Sequence, residues 1–204
     1  MYIYLMPRSL DNFKKNKKNK MNNFKILFIA LAAIAISFSA CKKDPVIEEP
    51  VELITTLNYT LVPTAGGAAV TLSFQDTDGD GGMNPIYTVG TLAANTTYSG
   101  SIELLDESGD DVENVTEEIE EEDEGHQFFF DATGGISIAY ADMDEDGNPI
   151  GLANTLTTGA AGNSALTVIL RHEPDKDASG VSDGDISNAG GETDIEVTFD
   201  VTVQ

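Results

Sequence analysis

From residue 52 onward, apolar and polar residues alternate with a period of two, the signature of strands that bury one face. Leu53, Leu57, Tyr59 and Leu61 line one face of the first run, and Val70, Leu72 and Phe74 line the second. Further runs fall near Ile86 to Val89, Ser101 to Leu105, Gln127 to Ala132, Ile136 to Tyr140, Leu152 to Thr157, Leu166 to Leu170 and Ile195 to Val203. Nine short strands separated by Gly, Asn, Asp and Thr turns predict an all-β chain, an immunoglobulin-like antiparallel β-sandwich. A closed barrel is the alternative. Residues 52–204 are long enough for one core and predict a single domain. At most one short helix is expected, over Val115 to Glu122, with Asn114 as cap, Glu117 three residues on and Gly125 as stop; a mobile loop is the alternative, because the acid run repels itself.

A phrase recurs along this pattern. Val70 to Phe74 leads into Asp76-Thr77-Asp78-Gly79-Asp80-Gly81, and Ile136 to Tyr140 leads into Asp142-Met143-Asp144-Glu145-Asp146-Gly147, 66 residues later. Ile102 to Glu107 answers Val168 to Glu173 at the same offset, so the halves read as an internal duplication. The loops alternate between neutral and acidic: those beginning at Asp76, Asp106, Asp142 and Arg171 carry most of the carboxylates. Successive loops of an up-and-down sandwich fall at opposite ends. The alternation therefore predicts one acidic pole and one neutral pole.

Residues 1–40 read as a targeting segment, with Met21 a sufficient start. Met21 to Lys25 is basic, and Ile26 to Phe38 is apolar but, at 13 residues, shorter than the ~20 that span a bilayer. Phe38-Ser39-Ala40-Cys41 resembles a bacterial lipobox, which implies that Cys41 carries the lipid. Residues 41–51 then form the lipidated cysteine and a linker. Lys42-Lys43-Asp44 is similar to export tags of surface lipoproteins, so an outer-membrane lipoprotein on the surface or periplasmic face is expected. Removing residues 1–40 leaves four basic and 34 acidic residues, a net charge of −30. That charge excludes nucleic acid as a partner and points to cations or a basic protein face.

Two metal chemistries fit the acidic pole. Asp76, Asp78 and Asp80, and again Asp142, Asp144 and Asp146, copy the first half of a calcium-binding EF-hand loop. Both copies lack the closing Glu, since Tyr87 and Ala153 stand at the twelfth position, so a Ca2+ site would draw carboxylates from neighbouring loops. The second chemistry uses the only two histidines. His126 is in register with Phe128 and Phe130, and His172 with Leu166, Val168 and Leu170. Both would reach the acidic pole, where Glu122, Glu124, Glu173 or Glu192 could complete a zinc or copper site. Rim histidines hydrogen-bonded to carboxylates are the plain structural reading, and Asp-Gly hairpin turns are that reading for the aspartates. No nucleophile elbow, phosphate-cradling Gly loop or paired histidine motif is present, so no enzyme and no organic cofactor are expected.

The lipobox, Asp76 to Gly81, Thr116 to Glu121 leading to His126-Gln127-Phe128-Phe129, and Glu192 to Phe199 together resemble small acidic single-domain lipoproteins of the Gram-negative envelope. Some of that group carry the label of type 1 periplasmic binding fold, a two-lobed α/β architecture whose strand–helix alternation is absent from this sequence. Similar lipoproteins accompany outer-membrane TonB-dependent transporters. The resemblance therefore implies membrane attachment and a transporter or basic protein partner. The expected function is a non-catalytic, lipid-anchored binding module with a cation-binding end. The alternatives are a transition-metal capture lipoprotein using His126 and His172, and a purely structural surface lipoprotein.

Overall fold

The computed structural model describes residues 53–79 and 82–204. The signal segment, Cys41, the linker, Asp80 and Gly81 lie outside them. Ten strands form two facing sheets. β1 (Thr56–Pro63), β2 (Val70–Gln75), β3 (Ile86–Val89), β5 (Thr97–Leu105), β7 (Ser137–Tyr140) and β8 (Ala153–Thr157) make a six-stranded sheet in the order β3-β2-β1-β5-β8-β7. β4 (Thr91–Leu92), β6 (His126–Ala132), β9 (Gly162–His172) and β10 (Glu192–Val203) make a four-stranded sheet in the order β4-β10-β9-β6. The predicted antiparallel sandwich is present, with one strand more than the nine in the pattern. The extra strand, β4, follows Gly90 and pairs in parallel with the end of β10. Two residues are too few to register as a period.

The alternation does the folding work. β5 buries Tyr98, Gly100, Ile102 and Leu104 and exposes the residues between them. β10 buries Ile195, Val197, Phe199, Val201 and Val203 in the same manner. These residues meet Leu57, Tyr59, Leu61, Leu72, Phe128, Leu166, Val168 and Leu170 in one core between the sheets. Fully burying a side chain of this size is worth about 1.5–3 kcal/mol. Packing is close at Gly100. A Cβ there would stand 2.2 Å from Asn154 Oδ1 and 2.8 Å from the Tyr59 ring, so only glycine lets that pair reach across.

A second, smaller apolar cluster covers the outer face of the four-stranded sheet. Phe129 packs with Val181 and Ala189, and Ile169, Ala178 and Ile186 surround them. The long segment after β9, which its charge marks as a loop, is thus folded down by two 3-10 turns, Val181–Asp183 and Ile186–Asn188.

The one α-helix among the described residues, α1, spans Val115–Glu121 and buries Val115 and Ile119. Its start differs from the expectation. Asn114 makes no side-chain cap to the backbone, and its Nδ2 instead donates to Glu117 Oε1 at 3.0 Å. Thr116 docks the helix: its Oγ1 accepts from Leu104 N at 2.8 Å and donates to Leu104 O at 3.2 Å.

The strand register places the loops. Thr56 pairs with both Gln75 and Leu105, which gathers the start of β1 and the ends of β2 and β5. His172 pairs with both His126 and Glu192, which gathers the start of β6, the end of β9 and the start of β10. Side chains tie these loops together. Thr56 Oγ1 and Gln75 Nε2 both donate to Glu107 Oε2, while Lys176 Nζ donates to Asp123 O and Asp144 Oδ2. At the other pole Ala94 N donates to Gln204 O, Thr158 Oγ1 to Ala93 O and Thr64 N to Thr97 O. The acidic loops share one end and the neutral loops the other. The two Asp-rich phrases follow β2 and β7 of one sheet, whereas the later part of the sequence echo falls on β5 in one sheet and β9 in the other.

Candidate metal centre

Three adjacent strands end together at the acidic pole, and each brings one ligand-type side chain inward. His126 continues the inward face of β6 past Phe128, and His172 continues that of β9 past Leu170. They stand directly opposite each other across the ladder. His126 Nε2 lies 3.2 Å from His172 Nδ1, with the rings edge to face at 84°. The third member is Asp194 on β10. Its Oδ2 is 3.9 Å from His126 Nε2 and its Oδ1 is 3.8 Å from His172 Nδ1. The side chains of His126 and Asp194 are fully enclosed, and that of His172 keeps 12% of its surface.

Asp194 reaches this position through a register shift. Thr193 pairs with Arg171 and Ile195 pairs with Leu170, so Asp194 is an extra residue with no opposite number. By strict alternation it would point outward with Glu196, Thr198 and Asp200. A bulge re-aims a side chain in this way, and here it turns the carboxylate inward beside Ile195.

The histidine tautomer follows from one bond. His126 Nδ1 is 3.0 Å from the carbonyl oxygen of Glu122, at the C-terminal end of α1. A carbonyl only accepts, so Nδ1 carries the hydrogen, and in the neutral imidazole the Nε2 lone pair faces His172 and Asp194. Metal-binding histidines are oriented in this way, with the distal N–H held by a backbone carbonyl or carboxylate. The two ring nitrogens and one Asp194 oxygen all lie within 4.8 Å of one another. A tetrahedral zinc site with bonds of about 2.05 Å has ligand–ligand edges of about 3.3 Å, so the two imidazole nitrogens already stand at that spacing and the carboxylate must close in by about 0.5–1.5 Å. Two nitrogens and one oxygen suit zinc or copper(II). Calcium takes six to eight oxygens.

The other candidates are placed differently. Glu124, Glu173 and Glu192 are exposed, and none belongs to the enclosed group. Glu122 contributes its carbonyl to His126. In the first Asp-rich loop, Asp76 Oδ1 accepts from Gly79 N and Asp78 Oδ2 from Met83 N, backbone groups three and five residues further along. In the second, Asp142 takes backbone N–H groups of Gly151 and Ala153 on its two oxygens, at 2.7 and 2.6 Å. Asp144 takes Asn148 N on Oδ1 and Lys176 Nζ on Oδ2. Burial works to raise the Asp144 pKa, but the Lys176 hydrogen bond and charge, with the backbone bond from Asn148, outweigh it and hold the carboxyl below its ordinary value. Asp146 is exposed.

Sequence reading found both histidines from their parity with the apolar faces. It missed Asp194 because the same parity argument sends that residue outward. The only available signal was Gly190-Gly191 just ahead of a strand, a pair that favours irregular backbone. Two clefts, of about 500 Å3 beside Phe130 and Tyr140 and about 390 Å3 beside Thr133 and Asp200, are lined by other residues and do not open onto the three-residue group. Comparison of the chain with protein-family models, curated proteins and solved structures finds no match.

Proposed function

We propose that this protein is a lipid-anchored envelope protein that binds one divalent transition-metal ion, zinc or copper, through His126, His172 and Asp194. The observation that carries the reading is an enclosed pair of imidazoles facing a buried carboxylate, with the His126 tautomer set for ligation by Glu122 O. A bound metal adds positive charge beside a carboxylate withdrawn from water. The surrounding acidic loops raise the local concentration of cations and favour their capture. The basic start, apolar run and Phe38-Ser39-Ala40-Cys41 of the leader support the lipid anchor, and with it an outer-membrane position beside a transporter or other basic partner.

Thermal melting tests the metal reading. At 100 times its dissociation constant a ligand adds about 2.7 kcal/mol of stability. Zinc or copper should therefore raise the melting temperature by roughly 5–10 °C over a chelator control for a domain of this size. An unchanged melt with both ions would refute the reading.

A further inference from the structure

The bulge that turns Asp194 inward is held from the opposite face of the sheet. Arg171 precedes His172 on β9, so its side chain lies on the outer face while the imidazole lies on the inner one. Its guanidinium reaches along the outside to the turn that feeds β10. Nη1 donates to Thr193 Oγ1 at 2.5 Å, Nε and Nη2 donate to Gly190 O at 3.0 and 2.5 Å, and Nη2 also donates to Gly191 O at 3.0 Å. Gly190 and Gly191 both have left-handed backbone, with φ of 61° and 65°. A Cβ on Gly191 would stand 2.1 Å from His172 O. The turn is thus fixed at both ends: glycine lets it pass close over the His172 carbonyl, and the guanidinium fork holds its two carbonyls and the next hydroxyl.

We infer that Arg171 is a positioning residue for the metal centre, fixing the register of β10 so that Asp194 faces the two histidines. The inference rests on the metal reading for its function and on the observed bulge for its geometry. Side chains on a strand alternate faces, so a one-residue slip of the segment before Ile195 would return Asp194 to the outer face. Thr193 is the last paired residue before the bulge, and Arg171 is the residue it pairs with. The clamp therefore acts at the point where a slip would begin. Arginine is needed for its shape. A planar fork can serve two carbonyls and a hydroxyl at once, whereas the point charge of lysine cannot hold that geometry.

The test compares Arg171→Lys and Arg171→Ala with Asp194→Asn and with each double variant, all in the full-length mature chain. Zinc titration is expected to show at least tenfold weaker binding in both Arg171 variants. Cobalt(II) spectra should lose the intense bands of a four-coordinate site. The loss should not add to that of Asp194→Asn, because both changes remove the same ligand. The imidazole NMR signals of His126 and His172, recorded without metal, are expected to move in Arg171→Lys as they move in Asp194→Asn. If the parent protein binds no zinc or copper, the metal reading fails, and the imidazole signals still decide the placement of Asp194. Arg171 variants with parental zinc affinity, or with unmoved imidazole signals, would overturn the inference.

Discussion

Lys176 Nζ lies 2.9 Å from Asp144 Oδ2, and both side chains are almost wholly withdrawn from water. The same ammonium donates to Asp123 O, so one lysine joins three of the four acidic loops. Removing one partner of a buried ion pair leaves the other charge stranded and costs about 3–5 kcal/mol. Lys176→Met should therefore lower the unfolding free energy measured in urea by that amount, whereas a loss below about 1 kcal/mol would mean that water already screens the pair.

This pair also sets an acid limb. The folded Asp144 pKa is held below its ordinary 3.8, so the pair's stabilisation is fully present above that value. It is lost as the pH falls through the depressed folded value, where the native state takes up the proton. Denaturant unfolding followed from pH 5 down to pH 2 should show a steeper decline in the parent than in Lys176→Met. Parallel curves would place the acid sensitivity elsewhere.

Tyr59 anchors the centre of the sandwich. Its hydroxyl donates to Asn154 Oδ1 at 2.5 Å in the core, under the gap that Gly100 leaves. Burial pushes the phenol well above its ordinary pKa, more than the Asn154 bond lowers it. Tyr59→Phe leaves the amide oxygen without that donor and should cost about 1–3 kcal/mol, measured by denaturant unfolding. Spectrophotometric titration should in addition show one tyrosine that does not ionise below the unfolding transition at high pH.

The fold was largely legible because period-two burial runs through almost every strand. Even the separation of acidic from neutral loops follows from counting strands, since β4 is a parallel add-on that leaves the up-and-down order intact. The histidines were legible by the same rule. Asp194 was not, because a bulge reverses parity at a single residue and depends on tertiary clamps such as Arg171. The second Asp-x-Asp-x-Asp-Gly phrase was legible as half of a calcium loop or as a turn, and in the structure Gly147 N donates to Asp144 O across it. The cation beside Asp144 is a lysine 32 residues further along the chain, a contact that no local spacing encodes.

Oxygen-ligand choice separates the site in the structure from the one the spacing suggested. Removing a group that merely orients a metal ligand typically costs 10–100-fold in affinity, so Asp194→Asn should weaken zinc binding by at least about tenfold. Glu124→Gln, Glu173→Gln and Glu192→Gln should each leave the affinity within about twofold, because rim charges are screened by solvent. Competition titration with a chromogenic chelator checks all four. A loss in Glu192→Gln as large as that in Asp194→Asn would move the site to the rim. Calcium and magnesium, titrated alongside, are expected to give only the weak, salt-sensitive response of charge screening.

Two imidazoles and one buried carboxylate are proposed to hold a single transition-metal ion. Elemental analysis after equilibrium dialysis against zinc tests it directly, using the parent protein and the His126→Gln, His172→Ala double variant. One tightly held zinc per chain is expected in the parent and none in the folded double variant. Equal metal content in the two proteins would contradict it.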